Sequence, residues 1–193
     1  MVMPLEDRRD LWRWKYAYRS FANCSKCCEY VMKNKLTADS PIYYGLSSAV
    51  FIAYARPFSR SYGLEKLPDS LVPSQFKAMH ELMINARHKV YAHTDADKIL
   101  VWGGEPTIQV LVTNELNGDT TIEAVEVTPS PAGWKPLKAL SDILMNKSHY
   151  YAQKVATRNK RYFPKGLGSF HISIEEGADP FVPMVKTTET KME

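Results

Sequence analysis

The segment Arg87-His88-Lys89-Val90-Tyr91-Ala92-His93, followed by Thr94 and Asp95, closes the third of four segments with helical periodicity. Arginine is always charged and presents a planar set of N–H donors that matches phosphate oxygens. Histidine exchanges protons near neutral pH. The segment therefore carries the minimal groups for phosphodiester chemistry without a metal. A second interpretation is that its cations simply occupy a helix C-terminus, where the helix dipole favours positive charge.

Helical periodicity and end signals predict helices at about residues 5–34, 41–56, 74–93 and 136–162. The second helix has the clearest start, because Ser40 suits the N-cap and Pro41 suits the first helical position. Pro57 ends or kinks it. The predicted apolar row of the first helix is imperfect, because it includes polar residues. Its members are Leu11, Trp14 or Lys15, Tyr18, Ala22, Ser25, Glu29 and Met32.

Strand-like sequence separates the third helix from the fourth. Residues 99–102, 107–113 and 120–128 are short candidate strands, the last two rich in Val, Ile and Thr. Asn117-Gly118 between them is a strong hairpin signal. The predicted fold is mainly α, an antiparallel four-helix bundle with a β-hairpin inserted at about 99–128. The predicted domain spans residues 1–163, with the insertion at 98–129 and an irregular tail at 164–193.

Length and composition fit one globular domain. The chain has 193 residues and a formal net charge of +4, which permits an anionic partner without requiring one. No apolar run is long enough to span a bilayer, and the first residues lack the features of a signal peptide. We therefore expect a cytoplasmic protein with no membrane partner.

Three cysteines, Cys24, Cys27 and Cys28, are crowded into five positions. Structural zinc needs a second pair of ligands, and the sequence offers none at a suitable spacing. Buried structural cysteines are the favoured interpretation. No cofactor and no metal are predicted, and a metal hydrolase is the least supported class of enzyme.

The first helix mixes aromatic and basic residues. Its aromatics are Trp12, Trp14, Tyr16 and Tyr18, and its bases include Arg9, Arg13 and Arg19. Such a mixture can bind single-stranded nucleic acid. The favoured interpretation is that the rings pack in the core while the bases face water.

Arg87 and His88, followed after four residues by His93, resemble the HEPN superfamily, whose signature is Arg, a polar residue, a short spacer and His. The ending Tyr-Ala-His-Thr-Asp and the element Arg56-Pro57-Phe58 look similar to bacterial members. The resemblance covers residues 5–162 in the order and type of helices. The hairpin insertion is not part of a minimal helical HEPN domain.

The resemblance implies a HEPN-like bundle and a metal-independent endoribonuclease, as in toxin–antitoxin and phage-defence systems. His93 would then act as general base or acid, Arg87 would hold the scissile phosphate, and His88 would orient or assist. We expect Arg56, Arg60, Tyr91 and Asp95 to be substrate-binding residues. The expected partners are RNA, a second copy of the chain and an antitoxin or regulatory protein.

Three alternatives remain open. Arg56 and Arg60 are either solvated or a phosphate-binding pair, and Asp95 either binds substrate or does no more than accept a hydrogen bond from His93. The chain as a whole is either a ribonuclease or a non-catalytic HEPN-like module that binds nucleotide, RNA or a protein.

Helical spacing makes dimerisation part of the hypothesis. Arg87 and His93 are six residues apart. In one straight helix they lie on faces roughly 120° apart. They converge only if the helix ends or bends near Ala92, or if each histidine faces the arginine of a partner in a two-fold homodimer.

Overall fold

The computed structural model describes residues 2–37, 39–60, 63–87, 101–102, 105–106, 108–114, 120–126, 131–165 and 169–184. Most of this described chain is helical. Its four α-helices are α1 (Leu5–Lys33), α2 (Pro41–Ala55), α3 (Lys77–Ala86) and α4 (Pro131–Arg158). The prediction of a mainly α chain with four helices is therefore confirmed. In this part of the chain no helix has the length and apolar content that crossing a membrane requires.

Helices α1 and α4, the two longest, pack side by side with opposite chain directions. The contacts that ascend α1 descend α4: Asp7 with Arg158, Trp14 with Tyr151, Tyr18 with His149, and Ser25 with Asp142. The rings of Trp14 and Tyr151 stack with centroids 4.6 Å apart. This is the most extensive helix pairing in the described chain.

The buried face of α1 repeats every three or four residues, as a helix packed along one side requires. Its apolar members are Leu11, Trp14, Ala17, Phe21, Cys24, Cys28 and Val31. The row predicted from sequence departs from this face, because Tyr18 and Ala22 are only half-buried and Glu29 is exposed. Small residues and cysteines supply much of the true face, and they give a weak hydrophobic signal in the sequence.

Helix α2 begins as predicted and packs antiparallel to α1. Pro41 is its first residue, and Ser40 occupies the N-cap position without a side-chain capping bond. The thiol of Cys24 on α1 lies 3.6 Å from the carbonyl oxygen of Val50 on α2. The rings of Phe21 and Tyr54 meet edge to face further along the same interface.

Helix α3 differs from the prediction at its start. Ser74–Phe76 forms a 3-10 turn, and the α-helix begins only at Lys77. Arg87 keeps helical backbone angles, with φ −57° and ψ −43°. The predicted continuation of this helix to His93 lies outside the described residues.

The predicted hairpin insertion is confirmed. Strand β3 (Ile108–Asn114) pairs antiparallel with β4 (Thr120–Glu126), between α3 and α4 in chain order. Before it, β1 (Val101–Trp102) pairs with β2 (Glu105–Pro106). The predicted turn at Asn117-Gly118 lies outside the described residues.

Helix α4 begins earlier than predicted. The sequence favours a start at Pro136, but the helix starts at Pro131 and includes Pro136 in its interior. Proline suits the first helical position because its missing N–H has no partner there in any case. Two prolines compete for that role, and the structure assigns it to the earlier one. The helix ends at Arg158, and a 3-10 turn at Lys160–Tyr162 takes the place of the predicted last turn.

The segment after residue 164 is not wholly irregular, contrary to the prediction. Strand β5 (Phe170–Ile172) pairs antiparallel with β6 (Phe181–Pro183). Gly177, with φ 76°, supplies the left-handed backbone needed between them. Arg8 of α1, only 5% exposed, donates to the Ser173 carbonyl at 2.8 Å. The hairpin is therefore attached to α1 by a long-range hydrogen bond that the sequence does not reveal.

Candidate anion-binding cleft

Three of the predicted site residues, Arg56, Arg60 and Arg87, lie in the described chain. Arg87 follows α3 directly, behind Ala86, which is buried with 1% of its surface exposed. The packing of Ala86 fixes the end of α3 against the core. The predicted site residues that lie outside the described ranges are His88, Tyr91, His93 and Asp95.

Arg56, Arg60 and Arg87 line one cleft, which has a volume of about 250 Å³. Arg13 of α1 lines it too. Four arginines thus line the cleft, and they come from α1, from the chain after α2 and from the end of α3. The other lining residues are Trp12, Tyr16, Pro57, Ser59, Leu64 and Glu65.

A 3-10 turn, Arg56–Phe58, positions the arginines that follow α2. Pro57 and Phe58 of this turn are buried, whereas Arg56 is exposed. The Leu67 N–H donates to the Pro57 carbonyl at 2.8 Å, so the next loop folds back over the turn. The Ser59 hydroxyl donates to the Ala55 carbonyl at 2.9 Å. Arg56 and Arg60 therefore stand on a backbone that is held at both ends.

The positive charge of the cleft is only partly neutralised by the described residues. Arg13 pairs with Asp10 at 2.8 Å and with Glu65 at 3.6 Å. The side chains of Arg56 and Arg60 are exposed, and neither forms a hydrogen bond or an ion pair with another described residue. Their guanidinium groups are thus available to an anion from solution.

Trp12 and Tyr16 form an aromatic wall of the cleft. Their rings stack with centroids 4.9 Å apart and planes inclined by 12°. Trp12 is 37% exposed, whereas Trp14 is 7% exposed and stacks on Tyr151. The prediction that the aromatics of this helix pack in the core is right for Trp14 and wrong for Trp12. Residues two apart in a helix lie roughly 200° apart, a signal that separates the two tryptophans.

His80 of α3 lies outside this cleft, in a second groove of about 360 Å³ that includes Phe58, Lys66 and Asp69. Its Nδ1 atom is 2.9 Å from the Tyr54 hydroxyl, and its Nε2 atom is 3.8 Å from Asp69 Oδ1. Burial lowers the pKa of His80, although Asp69 opposes the shift. Burial thus disfavours the protonated imidazole, and the Tyr54 hydroxyl contacts its Nδ1 atom.

The cysteines of α1 face the core. Cys24 and Cys28 are fully buried, and Cys27 is half-buried. Burial raises the pKa of the Cys28 thiol to about 12, and it raises the pKa values of Cys24 and Cys27 as well. Thiols with raised pKa values are poor nucleophiles and poor metal ligands. The prediction of buried structural cysteines is confirmed for Cys24 and Cys28.

The described residues contain no group of three or more His, Cys, Asp or Glu side chains placed to hold a metal ion. The arginine cleft instead offers planar N–H donors and aromatic faces. Such groups bind and orient phosphate-bearing molecules. Arginine and aromatic side chains do not transfer protons near neutral pH. Proton transfer would therefore need groups other than the described residues of the cleft.

Comparisons of the chain with protein-family models, with curated proteins and with solved structures found no match. The resemblance to HEPN proteins therefore stays a prediction that rests on the motif and on the order of helices.

Proposed function

We propose that the chain is a metal-independent endoribonuclease of the HEPN type, which binds RNA in the arginine cleft and acts as a homodimer. One observation carries the proposal. Arg87, the first residue of the motif, opens into the same cleft as Arg56 and Arg60. A motif whose arginine lay on an isolated surface would have no reason to be a phosphate site.

Phosphate binding is the first step of the proposal. A guanidinium group makes charge-assisted hydrogen bonds to two phosphate oxygens at once, and such bonds are about twice as strong as neutral ones. Arg56 and Arg60 are exposed and face the cleft. Binding a phosphate there therefore does not require the removal of a competing carboxylate from either side chain among the described residues.

Proton transfer is the second step. In the proposed reaction a ribose 2′-hydroxyl attacks the adjacent phosphorus while the bond to the 5′-oxygen breaks. His93 takes the proton of the hydroxyl or gives a proton to the leaving oxygen, and His88 orients or assists. Arg87 stabilises the charge that develops on the phosphoryl oxygens. The products are a 2′,3′-cyclic phosphate and a 5′-hydroxyl.

Dimerisation is the third part of the proposal, because it would complete the site. In one straight helix, Arg87 and His93 would lie on faces about 120° apart. A two-fold axis near the end of α3 would bring the His93 of one protomer to the Arg87 of the other. The antiparallel arrangement of α1 with α2 and with α4 supports a bundle of the HEPN type, in which the motif helix is presented to a partner.

The proposal is tested by incubating the purified chain with RNA in EDTA. We expect cleavage that ends in a 2′,3′-cyclic phosphate and that His93→Ala and Arg87→Ala abolish. Lys33→Ala is the matched control for loss of one positive charge, because Lys33 is exposed and lies twenty residues beyond Arg13 on α1, about 30 Å away.

Four results would contradict the proposal or one part of it. Cleavage that EDTA stops would indicate a metal, and equal cleavage by wild type and both variants would indicate a contaminant. RNA binding without any cleavage would assign the chain to the alternative, a non-catalytic module. Light scattering that detects only monomer at micromolar concentration would remove the shared site.

A further inference from the structure

The stack of Trp12 and Tyr16 has no counterpart in the motif, yet it lines the same cleft as the arginines. We infer that it is a base-stacking platform and that the ligand of the cleft is single-stranded RNA, with an unpaired base on Trp12 and a neighbouring phosphate on Arg56 and Arg60. This inference rests on the proposed RNA-binding function and deepens it by naming the substrate class.

The exposure of Trp12 is the first observation. Large aromatic side chains are mostly buried, and Trp14 on the opposite side of the same helix is 7% exposed. Trp12 is 37% exposed in the middle of a cleft wall. Tyr16 stacks on the Trp12 ring, and both residues line the cleft with the arginines. A partly exposed indole in a cleft that arginines also line offers a nucleotide both a π face and positive charge.

The rigidity of the platform is the second observation. Trp12 and Tyr16 are one helical turn apart in α1, a helix of 29 residues that is packed along α4. Stacking at i and i+4 stabilises a helix only slightly. The contact therefore explains how the indole is oriented, but helix stability alone does not explain why the pair lies beside four arginines.

The choice of single strand over duplex follows from access to the base. In a duplex each base is stacked on its neighbours, so it has no free face to offer Trp12. Unpaired bases stack on aromatic side chains with little preference for sequence, while basic residues follow the backbone. The platform thus predicts selectivity for unpaired RNA rather than for a particular sequence.

Charge also limits the extent of the site. An adjoining groove of about 400 Å³ shares Arg13, Leu64 and Glu65 with the cleft. Glu6 and Asp10 also line that groove, so three carboxylates and the two guanidinium groups of Arg9 and Arg13 face it. Phosphates are disfavoured there. We expect the strand to avoid this groove, so that affinity levels off with short oligonucleotides.

The test is fluorescence anisotropy with a labelled 2′-O-methyl oligoribonucleotide, whose blocked 2′-hydroxyl prevents cleavage by the proposed reaction. We expect Trp12→Leu to weaken binding by about tenfold or more, the loss of one base–aromatic stack. Trp12→Phe retains a ring and should bind within about threefold of wild type. A blunt duplex and an abasic oligonucleotide should bind weakly and equally to wild type and Trp12→Leu.

Binding and cleavage are scored separately, so the two proposals can fail separately. Equal binding of the single strand by wild type and Trp12→Leu overturns the platform, as does equal affinity for duplex or no RNA binding at all. If Trp12 controls binding but natural RNA is never cleaved, the platform stands and the nuclease proposal falls. Circular dichroism of Trp12→Leu confirms that a loss of binding is not a loss of fold.

Discussion

The hydroxyl of Tyr54 lies 2.9 Å from Nδ1 of His80, inside the interface of α2 with α3. The ring of Phe58 covers the same imidazole edge to face, with centroids 4.5 Å apart. When the neutral imidazole carries its proton at Nε2, on the side of Asp69, the Tyr54 hydroxyl donates a hydrogen bond to Nδ1. This pair joins α2 to α3, the helices that directly precede Arg56 and Arg87.

Stability should therefore fall as the pH drops below about 6.5, the ordinary pKa of histidine. Burial lowers the pKa of His80 in the folded chain, so the unfolded chain binds more protons between that lowered pKa and 6.5. Protonation then favours unfolding in this window, and the effect vanishes above it. Urea titrations of the free energy of unfolding at a series of pH values measure the slope.

His80→Gln is the matched variant for this slope, because glutamine keeps a hydrogen-bonding group without titrating. The free energy of unfolding of this variant should depend less steeply on pH than that of wild type below pH 6.5. Most carboxylates titrate near pH 4, so their contribution appears at lower pH. An unchanged slope in His80→Gln would show that another group causes the pH dependence.

Sequence patterns predicted the helices well where strong end signals were present. Ser40 and Pro41 marked the start of α2, and the start of α1 at Leu5 was also predicted. The start of α4 was misplaced because either of two prolines can open a helix. The hairpin at the end of the described chain was missed since its strands have only three residues each and depend on the contact of Arg8 with Ser173.

The site was predicted in part. Arg56, Arg60 and Arg87 were predicted from their chemistry and from the HEPN resemblance, but their meeting in one cleft depends on the 3-10 turn after α2, which has no clear sequence signal. Trp12 was assigned to the core with its neighbours. Its role beside the arginines could have been suspected from helical spacing, because Trp12 and Trp14 cannot both face the same side of α1.

Removal of the cleft arginines should change the salt dependence of RNA binding. Each phosphate contact on a single strand contributes about 0.7 to the slope of log affinity against log salt. We expect Arg56→Ala and Arg60→Ala each to lower the magnitude of this slope by about that amount, and to weaken binding at low salt. Anisotropy titrations over a range of salt concentrations measure it. Lys33→Ala should leave the slope unchanged, and an equal effect in this control would mean that only net charge matters.

Arg8→Met should loosen the attachment of the C-terminal hairpin to α1, which Arg9 also supports through the Ile174 carbonyl. The substitution keeps an apolar stem and removes the bond from the guanidinium to the Ser173 carbonyl. Loss of a hydrogen bond to a charged group costs about 1.5–3 kcal/mol. Hydrogen exchange should rise in residues 169–184 more than in α2, and limited proteolysis should cut there first. Uniformly faster exchange throughout the helices would instead indicate that Arg8 supports the whole core.

The two tryptophans of α1 should respond oppositely to stability and binding measurements. Trp14→Ala removes a ring that is 7% exposed and stacked on Tyr151 at 4.6 Å, so we expect a loss of about 3–5 kcal/mol in the free energy of unfolding. Trp12→Ala removes a partly exposed ring and should cost about 0.5 kcal/mol, with a large loss of RNA affinity. Because the variants delete the same side chain two positions apart, each is the control for the other. Comparable destabilisation by both would mean that Trp12 is a core residue, and the platform would lose its physical basis.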